Sequence, residues 1–111
     1  MTVVERSQDE QSCWQRRAAA ELAAILQHHR DLPAIVWTVG AAGCVLVGRV
    51  TGPASALQMR AVFAAWRAAL ALGEHAELSP APGAARLHAV ARRNRVCVRL
   101  TATVFDADGG A

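Results

Sequence analysis

The feature that most constrains this fold is an alternation of apolar and polar side chains between residues 84 and 105. With Arg93 and Asn94 placed in a two-residue turn, the alternation predicts two antiparallel strands. A slip of one residue would exchange the two faces of both strands, so the register is well specified. One face is then wholly apolar, with the pairs Ala91 and Val96, Ala89 and Val98, Leu87 and Leu100, and Ala85 and Ala102.

Two helices are predicted from capping signals and helical periodicity. An S-x-x-E capping box at Ser7, followed by apolar residues at spacings of three and four, predicts a helix over residues 8–30. A second helix is predicted over residues 53–72, with Pro53 in its first turn and Gly73 as its stop signal.

A second hairpin is predicted over residues 34–50, where two β-branched segments flank a short Gly-Ala-Ala-Gly connection. A two-residue loop would place Val39 opposite Cys44 and Trp37 opposite Leu46. The segment from residue 74 to residue 83 contains two prolines and is expected to be a loop.

Together these elements predict one α+β domain over residues 1–111, with frayed ends at 1–6 and 106–111. We expect a two-layer sandwich in which two helices cover one face of a four-stranded, mostly antiparallel sheet, in the order αββαββ. The strand order stays open, because the second hairpin can join either edge of the first.

Most catalytic and cofactor motifs are absent from the sequence. It contains no GxGxxG, GxxxxGK[ST], HExxH or GxSxG pattern, and its three cysteines form no CxxC pair. The strongest nucleophile candidate is Cys97, diagonal to His88 in the predicted register, but this pair lacks a third group and a pocket. We therefore expect no enzyme, cofactor or metal site. Without an apolar span or a secretory leader, we expect a cytoplasmic protein.

One surface is apolar and needs a covering. It consists of the outer face of hairpin 34–50 and of a second apolar face on helix 53–72. Either the first helix covers the helical part, or a second copy or another protein does. The candidate interface residues are Val36, Val45, Val47, Leu57, Ala61, Ala64, Ala68 and Leu72.

Another surface is basic. All twelve basic residues of the chain are arginine, the net charge is +3, and several arginines project from the polar face of the second hairpin. The general arginine bias is sufficient to explain a solvated basic face; the functional interpretation is an anion site for nucleic acid or an acidic partner. The candidate anion-binding residues are Arg86, His88, Arg92, Arg93, Arg95 and Arg99.

Four stretches also resemble a known group of proteins. Residues 32–40 (LPAIVWTVG), 46–50 (LVGRV), 87–93 (LHAVARR) and 103–106 (TVFD) resemble short actinobacterial proteins to which no activity is assigned. The resemblance extends over residues 15–106. It implies a bacterial, cytoplasmic setting, and its structural motifs imply no particular function.

Two hypotheses on function follow from the sequence. The first is a non-enzymatic protein-interaction or regulatory module, expected to form a homodimer through its apolar sheet or helix face. The alternative is a protein that binds duplex DNA with the arginine-rich face of the second hairpin, because a two-stranded ribbon can enter the major groove. Neither a small-molecule substrate nor a membrane partner is indicated.

Overall fold

Within the described residues, the fold is a five-stranded mixed sheet with two helices on one face. The structure, a computed structural model, describes residues 2–40, 44–52 and 55–105, with the backbone alone for residues 2–8 and 74. Across the sheet the order is β1-β2-β5-β4-β3, and all neighbours are antiparallel except β2 and β5, which are parallel. The elements are α1 (Thr2–His28), β1 (Val36–Val39), β2 (Val45–Val50), α2 (Ala56–Ala69), β3 (Glu74–Ala81), β4 (Ala84–Arg93) and β5 (Val96–Phe105).

The core lies between the sheet and the two helices. Alternate residues of β2, β4 and β5 are buried against Met59, Phe63 and Trp66 of α2 and against Ala18 and Ile25 of α1. The expected two-layer α+β architecture is confirmed. The expected four strands and αββαββ order are wrong, because a fifth strand precedes β4 and the order is αββαβββ.

The helix boundaries differ from those predicted at the start of α1. The backbone is already helical from Thr2, so the predicted cap at Ser7 lies inside the helix and the predicted frayed segment 2–6 belongs to α1. An S-x-x-E pattern is compatible with a helix interior, and nothing in residues 2–6 interrupts the helix. The helix ends at His28, two residues before the predicted end at residue 30.

The capping box of this chain is found at α2 instead. The Ser55 side chain accepts a hydrogen bond from the Gln58 backbone N–H at 3.1 Å, and the Gln58 side chain accepts one from the Ser55 N–H at 3.0 Å. These reciprocal bonds satisfy two N–H groups that the first turn of a helix leaves without partners. The helix therefore begins at Ala56, after the predicted start at Pro53, which lies outside the described residues.

The end of α2 is closed by an alanine in a conformation that favours glycine. The Leu72 N–H donates to the Arg67 carbonyl at 3.0 Å and the Ala71 N–H donates to the Ala68 carbonyl at 3.2 Å, which is a Schellman motif. Ala71 has a φ of 53°. The stop predicted at Gly73 is thus wrong, since the helix ends before the glycine is reached.

Replacing Ala71 with glycine is expected to raise the free energy of unfolding by about 0.5–1 kcal/mol, because glycine relieves the left-handed strain. The matched control is Ala68→Gly, an exposed site inside α2, where glycine should cost about 1 kcal/mol. Urea denaturation measures both. Equal losses of unfolding free energy in the two variants would contradict the conclusion that the Ala71 backbone is strained.

Hairpin β4–β5 has the predicted bounds, but its register is displaced by two residues. Arg93 pairs with Val96, so the turn residues are Asn94 and Arg95 rather than Arg93 and Asn94. Their φ values of 52° and 68° are those of a type I′ turn, for which asparagine is favoured at the first position. Because the displacement is even, every side chain keeps the predicted face.

Hairpin β1–β2 is displaced in the same way. Trp37 pairs with Gly48 and Val39 with Leu46, two positions away from the expected partners. The reason is steric, since a Cβ atom on Gly48 would come within 3.0 Å of the Trp37 ring and of Ile35. The large ring therefore lies over the one position in β2 that has no side chain.

The expected loop at residues 74–83 is mostly a strand. β3 pairs antiparallel with β4 from Glu74 opposite Val90 to Ala81 opposite Ala84, with an irregular register between Leu78 and Ala81. Proline is tolerated in an edge strand, where one row of N–H groups needs no partner. The prediction was wrong because the free edge of β4 supplies the hydrogen bonds that this segment's own sequence does not indicate.

Candidate interaction surface

The sheet face opposite the helices is the principal uncovered surface among the described residues. We call it the outer face. Its side chains are exposed or half-buried, and Val36 and Phe105 are 44% and 68% exposed. Its members on β1, β2, β4 and β5 are Val36, Thr38, Val45, Val47, Arg49, Ala84, Arg86, His88, Val90, Arg92, Cys97, Arg99, Thr101, Thr103 and Phe105.

Parallel pairing of β2 with β5 joins the two surfaces that the sequence suggested separately. Val45 lies beside Cys97, and Val47 lies beside Arg99. On the other side of β5, Arg99 faces Val90. The apolar residues of the first hairpin and the arginines of the second therefore form one continuous surface.

Three arginines form a diagonal line across the middle of the outer face. Arg49 on β2, Arg99 on β5 and Arg92 on β4 are each displaced by two residues from the next across neighbouring strands. Strand spacing and rise per residue then separate consecutive Cα atoms by about 8 Å. We call these three residues the arginine diagonal, and all three are exposed.

On β1, β2, β4 and β5 the charged side chains of the outer face are all arginines. Arg86 adds to the arginine diagonal on β4, and the half-buried His88 lies between Arg86 and Val90 on that face. None of the outward side chains on β1, β2, β4 and β5 is a carboxylate. Neighbouring arginines on these strands therefore repel one another, and an approaching anion is attracted.

The apolar part of the outer face lies on one side of the arginine diagonal. Val45, Val47 and Cys97 form a half-buried cluster there, next to Thr38 and Val36 of β1. On the other side the polar residues Thr101, Thr103, His88 and Arg86 lie among the apolar Val90, Ala84 and Phe105. The side with Val45 and Val47 is thus mainly apolar, and we call it the apolar half, whereas the other half is mixed.

The structure removes Arg93 from the predicted anion site. Arg93 projects to the helix side, where its Nε donates to Glu21 Oε2 at 3.3 Å and its Nη1 donates to the Leu70 carbonyl at 3.2 Å. The Asn94 side chain donates to Glu21 Oε1 at 2.8 Å, and Glu21 is only 7% exposed. Arg93 therefore ties α1, α2 and the β4–β5 turn together.

The remaining predicted anion-site residues stay outside the core but are spread along the β4–β5 hairpin. Arg86, His88, Arg92 and Arg99 share the outer face, and Arg95 is exposed in the β4–β5 turn. The predicted turn at Arg93 and Asn94 would have placed Arg92 opposite Arg95, whereas Arg92 pairs with Cys97. Sequence reasoning missed Arg49, which enters the group only through the parallel β2–β5 pairing.

The predicted helical interface is mostly exposed, so α1 does not cover it. Leu57 is 79% exposed, and Ala61, Ala64 and Ala68 are exposed as well. Leu72 differs, since it is 2% exposed and belongs to the core.

The proposed nucleophile pair is separated by the register displacement. His88 pairs with Thr101 and Cys97 with Arg92, which places the two residues four positions apart along the strands. That corresponds to about 13 Å. In the observed register, unlike the predicted one, the Cys97 thiol and the His88 ring are therefore not neighbours.

One cleft of the described surface has polar groups that are already engaged. It has a volume of about 350 Å³ and lies at the end of α1 beside Glu21, His28 and Arg93. Glu21 is held by Arg93 and Asn94, and His28 Nδ1 contacts the Ala24 carbonyl at 2.7 Å. This cleft serves the attachment of α1 rather than presenting groups to a ligand.

Comparison with protein-family models, with curated proteins and with solved structures returned no significant match. Among the described residues, no helix is both long enough and apolar enough to cross a lipid bilayer.

Proposed function

We propose that this protein is a non-enzymatic interaction module that binds an acidic, amphipathic segment of a partner protein on its outer face. The observation that supports this most directly is the juxtaposition of Val45 and Val47 with Cys97 and Arg99 through the parallel β2–β5 pair. It makes one uncovered surface both apolar and cationic. A partner complementary to this surface carries acidic groups opposite the arginines and apolar groups opposite the valines.

The arrangement of the two halves sets the geometry of the partner. Acidic side chains along one edge of the partner segment would meet the arginine diagonal. Apolar side chains beside them would cover Val45, Val47 and Cys97. Such contacts desolvate the valines and give each exposed guanidinium a carboxylate that the outward positions of β1, β2, β4 and β5 do not provide.

Stacking of two outer faces on each other is disfavoured by their charge. Each face would bring Arg49, Arg86, Arg92 and Arg99 toward the same residues of a second copy. Without an outward carboxylate on β1, β2, β4 or β5, this contact would desolvate like charges. The outer face is therefore assigned to a partner of opposite charge.

Duplex DNA is the second candidate ligand, supported by the cations of the outer face alone. Phosphates would accept hydrogen bonds from the arginine diagonal, as in other basic surfaces. DNA leaves Val45 and Val47 without an apolar partner. For this reason the acidic protein segment is preferred.

The test is fluorescence anisotropy with a labelled helical peptide of Leu and Glu that carries both residue types on adjacent faces. We expect binding to the wild-type chain, and at least about tenfold weaker binding to the double variant Arg92→Glu with Arg99→Glu. Val47→Thr preserves the shape of the side chain and should also weaken binding, by about threefold, because it removes apolar contact.

The matched control is Arg16→Glu with Arg17→Glu, which changes the net charge equally at two exposed positions of α1. It should leave peptide binding within about twofold of wild type. A labelled random duplex is titrated in parallel at several salt concentrations. Absence of peptide binding at low salt would refute the proposal. Duplex binding that falls log-linearly with salt and ignores Val47→Thr would establish the second candidate instead.

A further inference from the structure

The two edges of the sheet differ in how they are protected against pairing with another strand. β3 has an irregular register between Leu78 and Ala81, contains Pro80, and carries the charged Glu77. β1 has the sequence Val-Trp-Thr-Val, without charge, proline or register irregularity. Natural proteins use the features found in β3 to block edge pairing, and β1 has none of them.

The backbone groups that β1 presents at its free edge follow from its pairing with β2. The Gly40 N–H donates to the Val45 carbonyl at 2.8 Å, which makes these two residues a hydrogen-bonded pair. Hydrogen bonding alternates along an antiparallel strand, so Thr38 and Val36 also bond to β2. The N–H and C=O groups of Trp37 and Val39 therefore point toward the free edge.

We propose that two copies of this chain associate by antiparallel pairing of β1 with β1, which joins their sheets into one of ten strands. Among the registers that oppose edge-directed groups, one uses both such residues of β1 in each copy. Trp37 of one copy pairs with Val39 of the other in two symmetric hydrogen-bonded pairs, and Thr38 lies opposite Thr38 of the second copy on the two-fold axis. A displacement by one residue would place edge-directed groups of one copy opposite residues of the other copy whose N–H and C=O groups already bond to β2. It would also bring outer-face side chains of one copy beside core-side side chains of the other.

The side chains at this junction suit self-association. Val36 is 44% exposed and Thr38 is exposed, and both would lie at the seam on the outer face. The nearest arginine of the outer face is Arg49, which is on β2. Arg49 side chains of the two copies would be separated by three strand spacings or more, at least about 14 Å, beyond the screening length at physiological salt.

This inference does not rest on the proposed function. Pairing at β1 leaves both outer faces open and side by side, so the dimer can form whether or not the outer face binds an acidic segment. The valines and Thr38 at the seam become continuous with the apolar half of each outer face. A dimer would then offer two arginine diagonals on one surface.

Sedimentation velocity from low micromolar to millimolar concentration tests the pairing. Wild-type chain should shift from monomer to dimer as its concentration rises. Thr38→Lys and Thr38→Glu each place like charges face to face on the two-fold axis, and each should weaken dimerisation at least about tenfold. An equimolar mixture of the two variants should dimerise again, because lysine then meets glutamate.

The control is Thr103→Lys, an exposed outer-face position on β5, which should dimerise as the wild type does. Amide hydrogen exchange provides a second readout. Trp37 and Val39 amides should gain protection with concentration, whereas the Thr38 amide, bonded to β2, should be protected throughout. A wild-type chain that stays monomeric, or a dimer that persists in both Thr38 variants, would overturn the proposal.

Discussion

Trp66→Ala is expected to lower the free energy of unfolding by about 3–5 kcal/mol, the largest loss for any single substitution considered for this chain. Trp66 is 1% exposed, and its ring makes edge contacts with Trp37 at 5.6 Å and with His29 at 6.2 Å between centroids. Its Nε1 donates to the Pro33 carbonyl at 2.8 Å. The substitution therefore leaves a cavity and also an acceptor without its donor.

A pair of phenylalanine variants keeps this prediction testable if Trp66→Ala fails to fold. Trp66→Phe retains most of the ring but loses the bond to Pro33, and should cost about 1–3 kcal/mol. Trp37 Nε1 is buried without a hydrogen-bond partner among the described residues. Trp37→Phe removes that donor and should cost less than about 1 kcal/mol. Urea denaturation measures the free energy of unfolding of both variants, with m-values expected to stay unchanged. Equal losses of stability in the two variants would contradict the role of the Pro33 bond.

Arg93→Ala is expected to lower the free energy of unfolding by about 2–3 kcal/mol, although nothing in the sequence distinguishes Arg93 from the other arginines of its hairpin. Its loss leaves the carboxylate of Glu21, only 7% exposed, with Asn94 alone, and it leaves the Leu70 carbonyl without its donor. For a domain of this size, the melting temperature should fall by roughly 10–20 °C.

The matched control is the neighbouring Arg92→Ala, on the opposite face of the same strand. Arg92 is exposed, so its loss should change stability by no more than about 0.5 kcal/mol. The double variant Glu21→Leu with Arg93→Leu should recover part of the loss, since it leaves no unpaired charge. Thermal melting that shows similar losses for Arg92→Ala and Arg93→Ala would refute the assigned contacts.

Elements with strong local patterns were predicted well from the sequence. The bounds of the hairpin from Ala84 to Phe105 and the faces of its side chains agree with the structure. Its register does not, because a displacement by two residues preserves every face. Turn geometry decides between the two registers, and the positive φ angles of Asn94 and Arg95 are not encoded in the alternation.

Two further features were not predicted from the sequence. β3 is a strand because β4 has a free edge beside it, and Pro80 within it argued for a loop. The exposed alanines of α2 were open to two interpretations, and the position of α1 decided that they stay uncovered. The first contact joins neighbours in the chain, since Ala81 pairs with Ala84 across a two-residue connection, whereas the second depends on α1, which is distant in sequence.

The candidate site shows the same division. The sequence determined that arginines of β4 and β5 share one face and that valines of β1 and β2 share another, because alternation assigns faces locally. Only the tertiary structure decided that β2 lies parallel to β5, which merges the two faces and adds Arg49 to the arginine diagonal.

For the fold as a whole, the sequence by itself determined the two helices, the two hairpins and which side of each hairpin is buried, since these follow from periodicities of two and 3.6 residues. The tertiary structure alone decided the order of the strands and the ion pair between Arg93 and the buried Glu21. The physical reason is range: side-chain alternation acts between neighbours in the chain, whereas the parallel β2–β5 pairing and the salt bridge between α1 and β4 join residues that only the folded chain brings together.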